Sequence, residues 1–179
     1  MFVYKDIAFR VIEESDLEIL RKLHNEQSTW ENLLNIDFID EKSQQTWWEN
    51  LHKKANDKRY VICFSDDPEK IIGRIRIQNI NHQHNNCEVG LDILPEYRGK
   101  RFGYKSYMML LEFLFKHYNM NMVYLKVADF NPKALNLYRK IGFVETGRLI
   151  DFFYRNGQYW DYIIMCITKN MYVEKNNKQ

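Results

Sequence analysis

The chain has 179 residues, 45% of them hydrophobic and 28% charged, which fits one globular domain with a substantial core. Twenty-six Lys and Arg against 24 Asp and Glu leave a net charge of +2, so no electrostatic case exists for nucleic acid as the main partner. Three scattered cysteines, Cys63, Cys87 and Cys166, form neither a disulfide framework nor a CxxC zinc pattern, and we expect no metal.

Met1 to Asp6 lacks the basic segment and apolar run of a signal peptide, and the expected location is cytoplasmic. The most apolar stretch, Tyr107 to Phe115, carries Glu112 and is too short to span a bilayer, so no membrane partner is expected. Ile7 to Ile12 reads as an opening strand. Ser15 and Asp16 can cap a helix running to about Asn25, with Leu17, Leu20 and Leu23 at helical spacing. Residues 26–40 have no clear pattern. A second helix covers Glu41 to Lys54 on a stripe of Trp47, Trp48 and Leu51. Adjacent helix positions face different ways, so one of the two tryptophans belongs to the core and the other could wall an acceptor pocket.

From Arg59 the pattern turns to strands: Tyr60 to Phe64, Ile71 to Ile77, and Cys87 to Leu94. In the second of these, Arg74-Ile75-Arg76-Ile77 alternates as a half-buried antiparallel strand should. His82 and His84 fall in the Asn/His loop between the last two strands, where no carboxylate or cysteine cluster would complete a metal site. A long helix follows Arg98-Gly99-Lys100, apolar over so wide an arc that it must lie on a sheet. Met122 to Ala128 is a strand. Asn131-Pro132 opens a helix that Gly142 stops, and a hairpin turning at Asn156-Gly157 joins strands ending near Phe153 and Thr168. This order predicts a mixed α/β (α+β) fold, a mostly antiparallel twisted sheet of about six or seven strands with helices on both faces. The strand–helix–strand segment from 87 to 128 should be a right-handed parallel crossover. We expect a single domain over 1–172 and a polar tail over 173–179.

The segment from Leu91 to Tyr104 runs from a strand end, through a turn with glycines and basic residues, into a helix. First-turn amides of a helix have no internal partner and the dipole makes that end partly positive, so the turn could cradle a pyrophosphate. A capped surface turn with solvated basic residues would read the same way. The turn is neither a Walker loop nor GxGxxG, which argues against nucleoside triphosphates and dinucleotides.

Arg98-Gly99-Lys100-Arg101-Phe102-Gly103 resembles the acetyl-CoA motif of the GNAT acetyltransferases, commonly Q/R-x-x-G-x-G/A. Asn131 to Phe143 is similar to that family's N-P-x-A-x-x-L-Y-x-x-x-G-F segment, and Glu145 to Leu149 to the stretch after it. The resemblance is to the RimJ/RimL type and to spermidine N-acetyltransferases. It implies the GNAT fold and acetyl transfer from acetyl-CoA, as cosubstrate, to an amine acceptor. The cosubstrate would be held by Leu91, Ile93, Arg98, Gly99, Lys100, Arg101, Phe102, Gly103, Tyr104 and Asn131. An amide near Ile93, freed by a strand bulge, would hold the carbonyl oxygen, and Tyr138 would protonate the thiolate. Arg101 stands where the family has glycine. We expect it to be helical, with its guanidinium on a CoA phosphate, because a positive φ would strain it.

An alkyl amine titrates at about 10.4, so the reaction needs a base. Glu88 is the candidate and Asp92, on the same strand face, its substitute; pairing of such a strand carboxylate with Arg74 or Arg76 is an equally good account. Tyr138 shares a helical face with Ala134, Leu137 and Ile141 and could be ordinary core, and Asn131 is a helix cap whatever else it does. Residues 26–50, with Glu26, Glu31, Asp37, Asp40, Glu41 and Glu49 diluted by lysines, should meet the acceptor, but they do not choose among polyamines, amino sugars and protein N-termini. The alternative to an enzyme is a non-catalytic acetyl-CoA sensor of the same fold. Nucleic-acid binding through Arg98 to Arg101 and Lys105 ranks last. The aromatic hairpin from Phe152 to Trp160 could pair two copies or be core.

Overall fold

A computed structural model describes residues 1–177, the side chain of His52 excepted. One eight-stranded sheet carries the chain: β1 (Phe2–Tyr4), β2 (Ile7–Val11), β3 (Lys58–Phe64), β4 (Ile71–Asn81), β5 (Asn86–Ile93), β6 (Met122–Ala128), β7 (Val144–Arg155) and β8 (Gln158–Thr168). Their spatial order is β1-β2-β3-β4-β5-β6-β8-β7. Every pairing is antiparallel except β5 with β6, which are parallel as the crossover predicts. The helices are α1 (Leu17–Asn25), α2 (Gln27–Trp30), α3 (Glu41–Asn50), α4 (Phe102–Glu112), α5 (Pro132–Ile141) and α6 (Lys169–Asn176). Among the described residues no helix is long and apolar enough to cross a membrane.

The mixed architecture is the expected one, and the sheet gains a strand because Phe2–Tyr4 folds back on β2 through a turn at Lys5. Three residues are too few to show a period, which is why β1 escapes pattern reading. The short α2 and the C-terminal α6 are likewise additional; α6 covers the start of the polar tail, whose last two positions, 178 and 179, lie outside the described residues.

Alternation along the strands builds two cores. Ile7, Phe9, Ile62, Ile75 and Ile77 pack with Met109, Leu110 and Leu114 on the α4 side. Ala8, Val61, Cys63 and Ile71 pack with Leu17, Leu20 and Leu23 of α1 on the other side. Trp48 joins that second core partly buried, whereas Trp47 stays exposed, so the adjacent tryptophans do face different ways. On β4 the same alternation sends Arg74 to the α1 side, its Nη2 3.4 Å from His24 Nδ1.

At one point the sheet opens. β5 and β6 pair only over Asn86–Glu88 with Met122–Tyr124, while β5 continues along β4 to Ile93 and β6 continues along β8 to Ala128. Beyond Glu88 the two strands part, and α4 and α5 flank the gap.

Candidate active site

The gap between β5 and β6 is the mouth of a cavity of about 860 Å³. Its lining includes Glu88, Leu91, Ile93, Arg98, Gly99, Arg101, Gly103, Tyr104, Asn131 and Tyr138, which brings most of the sequence candidates into one space. Lys100, exposed, and Phe102 complete the turn without lining the cavity.

Backbone geometry explains what the gap offers. Leu94 N–H donates to Ile72 O on β4 at 2.9 Å. Successive strand residues point to opposite edges, so Ile93 and Leu91 turn their N–H groups away from β4, into the gap. The Ile93 carbonyl on that edge accepts Arg98 Nε at 2.8 Å. No bulge lies at Ile93. Along β3 to β5 the irregularities fall between Ile62 and Cys63 and between Gln78 and Asn81, so divergence of β5 from β6, not a bulge, opens this edge.

At the turn, the first helical bond of α4 is Lys105 N–H to Arg101 O at 3.1 Å, which leaves the amides of Phe102, Gly103 and Tyr104 without intrahelical partners. Gly99 has φ +75° with open space where a Cβ would project. A Cβ on Gly103 would touch Leu137 at 3.4 Å, so glycine lets α4 lie close to α5. Arg101 is not helical: its φ of 66° and ψ of 4° are left-handed. The turn imposes a conformation poorly suited to an ordinary L-residue, and the exposed side chain makes no capping bond. Arg98 is largely committed within the protein. Its guanidinium donates to Ser28 Oγ and, at 2.7 Å, to Thr29 Oγ1, and lies 3.6 Å from Glu26, pinning α2 over the gap. Asn131 Oδ1 caps α5 through Ala134 N–H at 3.0 Å, while Nδ2 donates to Asn32 Oδ1.

Glu88 is buried, and Asn79 Nδ2 and Lys126 Nζ reach its Oε2 at 3.0 and 3.1 Å. Neither Arg74 nor Arg76 is its partner. Both belong to Asp92, at 2.7 and 3.6 Å. Burial alone would raise the Asp92 carboxyl, but Arg76 and Arg74 outweigh it and hold it below the usual range, so Asp92 is a poor base. Tyr138 packs edge-on to Tyr107, ring centroids 5.3 Å apart, and both rings face the cavity. Burial raises the Tyr138 phenol, which stays protonated at neutral pH. Tyr162 on β8, beside Glu88 and Tyr138, is pushed up to about 12, chiefly by burial.

Asn79, Arg76, Tyr107, Lys126 and Tyr162 were not singled out as site residues from sequence. Arg76 and Asn79 share β4, while Tyr107, Lys126 and Tyr162 come from α4, β6 and β8, and only the fold brings them together. Arg76 and Glu88 carried the available signal as alternating charges on neighbouring strands, but the register pairing Arg76 with Gly90 and Arg74 with Asp92 is tertiary information.

A family model for the acetyltransferase (GNAT) domain matches residues 6–144. The spermidine N(1)-acetyltransferase of Vibrio cholerae is 30% identical over 175 residues, covering 95% of this chain and 97% of that protein. That of Escherichia coli K12 is 30% identical over 173 residues, covering 95% and 90%. The crystal structure of the V. cholerae enzyme in complex with CoA and spermine superposes with a TM-score of 0.87 at 28% identity, over 95% of this chain and 99% of that one. With the two motifs at α4 and α5 on either side of the open strand edge and the match running through most of its length, this chain belongs to the GNAT family of acetyl-CoA-dependent N-acetyltransferases.

Proposed function

We propose that the chain transfers acetyl directly to a primary amine within a ternary complex, with Glu88 as general base and Tyr138 as general acid. The observation carrying this reading is a carboxylate on β5 and a protonated phenol on α5 lining one cavity where β5 and β6 part. Bound acetyl-CoA supplies the thioester carbonyl that the amine attacks. The amides of Phe102, Gly103 and Tyr104, with Gly99, Lys100 and Arg101, form the pyrophosphate cradle, and the N–H groups of Leu91 and Ile93 line the arm leading to the thioester. Arg98 acts as a positioning residue through α2, and Asn131 shapes the opposite wall.

Both hydrogen bonds to Glu88 fall on Oε2, so Oε1 is the oxygen left to accept the ammonium proton, directly or through water. As the C–S bond breaks, Tyr138 gives its proton to sulfur. From the ammonium form nitrogen loses two protons, one to Glu88 before attack and one to solvent once the C–N bond has formed, while Tyr138 supplies one to the thiolate; solvent then takes the proton from Glu88 and returns one to Tyr138. Relatives named for spermidine place polyamines among the acceptors to assay, beside amino sugars and protein N-termini. The same reading includes a homodimer built on the β7–β8 hairpin, where Phe153 is core but Ile150, Phe152, Tyr154 and Tyr159 are exposed. Light scattering at micromolar concentration checks it, and a monomer there refutes it.

The test of the chemistry is thiol release from acetyl-CoA over an amine panel. Tyr138→Phe should lower kcat by about 100-fold or more with acetyl-CoA affinity retained. Equal turnover in wild type and variant would remove Tyr138 from the mechanism. A sensor would bind acetyl-CoA and turn over nothing.

A further inference from the structure

The acceptor end of the cavity is not built for a polycation. Two of the three carboxylates there carry ion pairs, Glu88 with Lys126 and Asp92 with Arg74 and Arg76, while Glu31 accepts Gln27 Nε2 at 2.8 Å within the field of Arg155. Two cations, Arg76 and Arg155, are less fully answered in return. Arg74 takes Asp92 at 2.7 Å and leaves Arg76 only the longer contact of 3.6 Å. Arg76 Nε is buried with no hydrogen-bond partner, while about a third of the side chain stays open. Arg155, buried against Trp30 and Phe153, donates only to the carbonyls of Glu31 and Leu33. Glu31 is the one carboxylate on the described wall without an ion pair, so a second that would seat a further ammonium group is missing there.

Arg76 is also placed as a ligand group would be. It lines both the main cavity and a second one of about 360 Å³ beneath α1 and α3, so its guanidinium stands between them. Gly90, across the strand pair from it, makes the room. A Cβ there would sit 2.9 Å from Arg76 Nη2 and 3.2 Å from Cζ, so the guanidinium lies directly on the β5 backbone. Tyr138 and Tyr162, which line the same cavity, lie within its electrostatic reach.

We infer that the acceptor is a short amine that also carries a carboxylate, an amino acid in the broad sense, and that Arg76 binds this carboxylate and sets specificity. The inference rests on the transfer reading of the same cleft. A planar guanidinium with one weak partner suits a carboxylate fork, which would complete its bonding and neutralise the excess charge on this wall.

The experiment compares kcat/KM for matched acceptors: L-amino acids, β-alanine and γ-aminobutyrate, each against its own amide, with putrescine, spermidine and spermine alongside. At least one amino carboxylate should exceed its amide by about 10- to 100-fold, the worth of a charge-assisted bond, with the difference in KM. Arg76→Met should bring that ratio to about one, Arg76→Lys should restore part of it, and Gly90→Ala should lower it by displacing the guanidinium. The wild-type ratio decides the matter even if Arg76→Met fails to fold. Acid and amide acetylated alike, or a polyamine preferred over every amino acid, overturns the acceptor assignment while acetyl transfer stands. No thiol release with any acceptor, despite acetyl-CoA binding, overturns the transfer reading and this inference together.

Discussion

Replacing Arg101 by glycine tests the structure where it departs from its family. Among the described residues, seven non-glycine positions have positive φ; four are Asn, which tolerates the left-handed region, and Arg101 is not among those. An ordinary L-residue there costs about 1–2 kcal/mol. Glycine removes that cost but adds freedom to the unfolded chain worth about 0.4–1 kcal/mol. The exposed side chain forms no capping bond that would be lost. Arg101→Gly should therefore stabilise by about 0.5–1 kcal/mol and raise Tm by roughly 1–4 °C for a chain of this length. The same change deletes a cation from the mouth of the cradle, so acetyl-CoA Kd should rise about two- to fivefold at low ionic strength, the scale of an exposed ion pair, and less at high salt. Differential scanning calorimetry reads the first effect and titration calorimetry the second. A fall in Tm would refute the strained-turn account, and an unchanged, salt-insensitive Kd would refute the phosphate contact.

Arg98→Ala should strip Thr29 and the Ile93 carbonyl of their donor, cost about 1.5–3 kcal/mol, and expose residues 26–40 to limited proteolysis; an unchanged digestion pattern would show that α2 is held by other contacts. Asp16→Ala breaks a nearly buried pair with Arg10, at 2.7 Å, and should cost about 3–5 kcal/mol in urea unfolding, with a loss under 1 kcal/mol contradicting the pairing. Burial pushes the Cys87 thiol up to about 12 from 9.0, so the unfolded chain ionises first as pH rises: the contribution is full below pH 9 and lost between about 9 and 12, and Cys87→Ala should flatten that alkaline decline. Backbone hydrogen exchange at Leu91 and Ile93 should slow on adding acetyl-CoA, and unchanged rates would mean that the open edge is not the cosubstrate's seat.

What could be read from sequence was local. Asn131-Pro132 and Gly142 bracket α5 by capping chemistry that needs only neighbouring residues, and the observed helix, Pro132–Ile141, has those bounds. The Ile/Arg alternation gave β4 its two faces before any fold was assumed. The conformation of Arg101 was misread because the choice between a helical and a left-handed residue is made by the turn from Pro95 onward, not by Arg101 itself. The alternative pairing of Glu88 with Arg74 or Arg76 does not form for a comparable reason: both are near it in strand order, but Lys126 comes from the parallel neighbour, whose register with β5 is settled by packing.

That parallel neighbour also explains why the chemistry sits where it does. An exposed strand edge inside a protein is unfavourable, since each unpaired N–H or C=O loses its water without gaining a partner. β5 and β6 nonetheless keep only three paired positions each, because β5 follows β4 and β6 follows β8 along diverging lines. One consequence of the parting is offset within the chain, by Arg98 at the Ile93 carbonyl. The N–H groups on the same edge have no such side chain aimed at them, although Asn32, Asn131 and Ser28 stand nearby and bond elsewhere. A strand edge left open in this way is complete only when another extended, hydrogen-bonding chain lies against it. The amide-bearing arm of CoA is such a chain, and Glu88 and Tyr138, the groups proposed to react, line the same cavity.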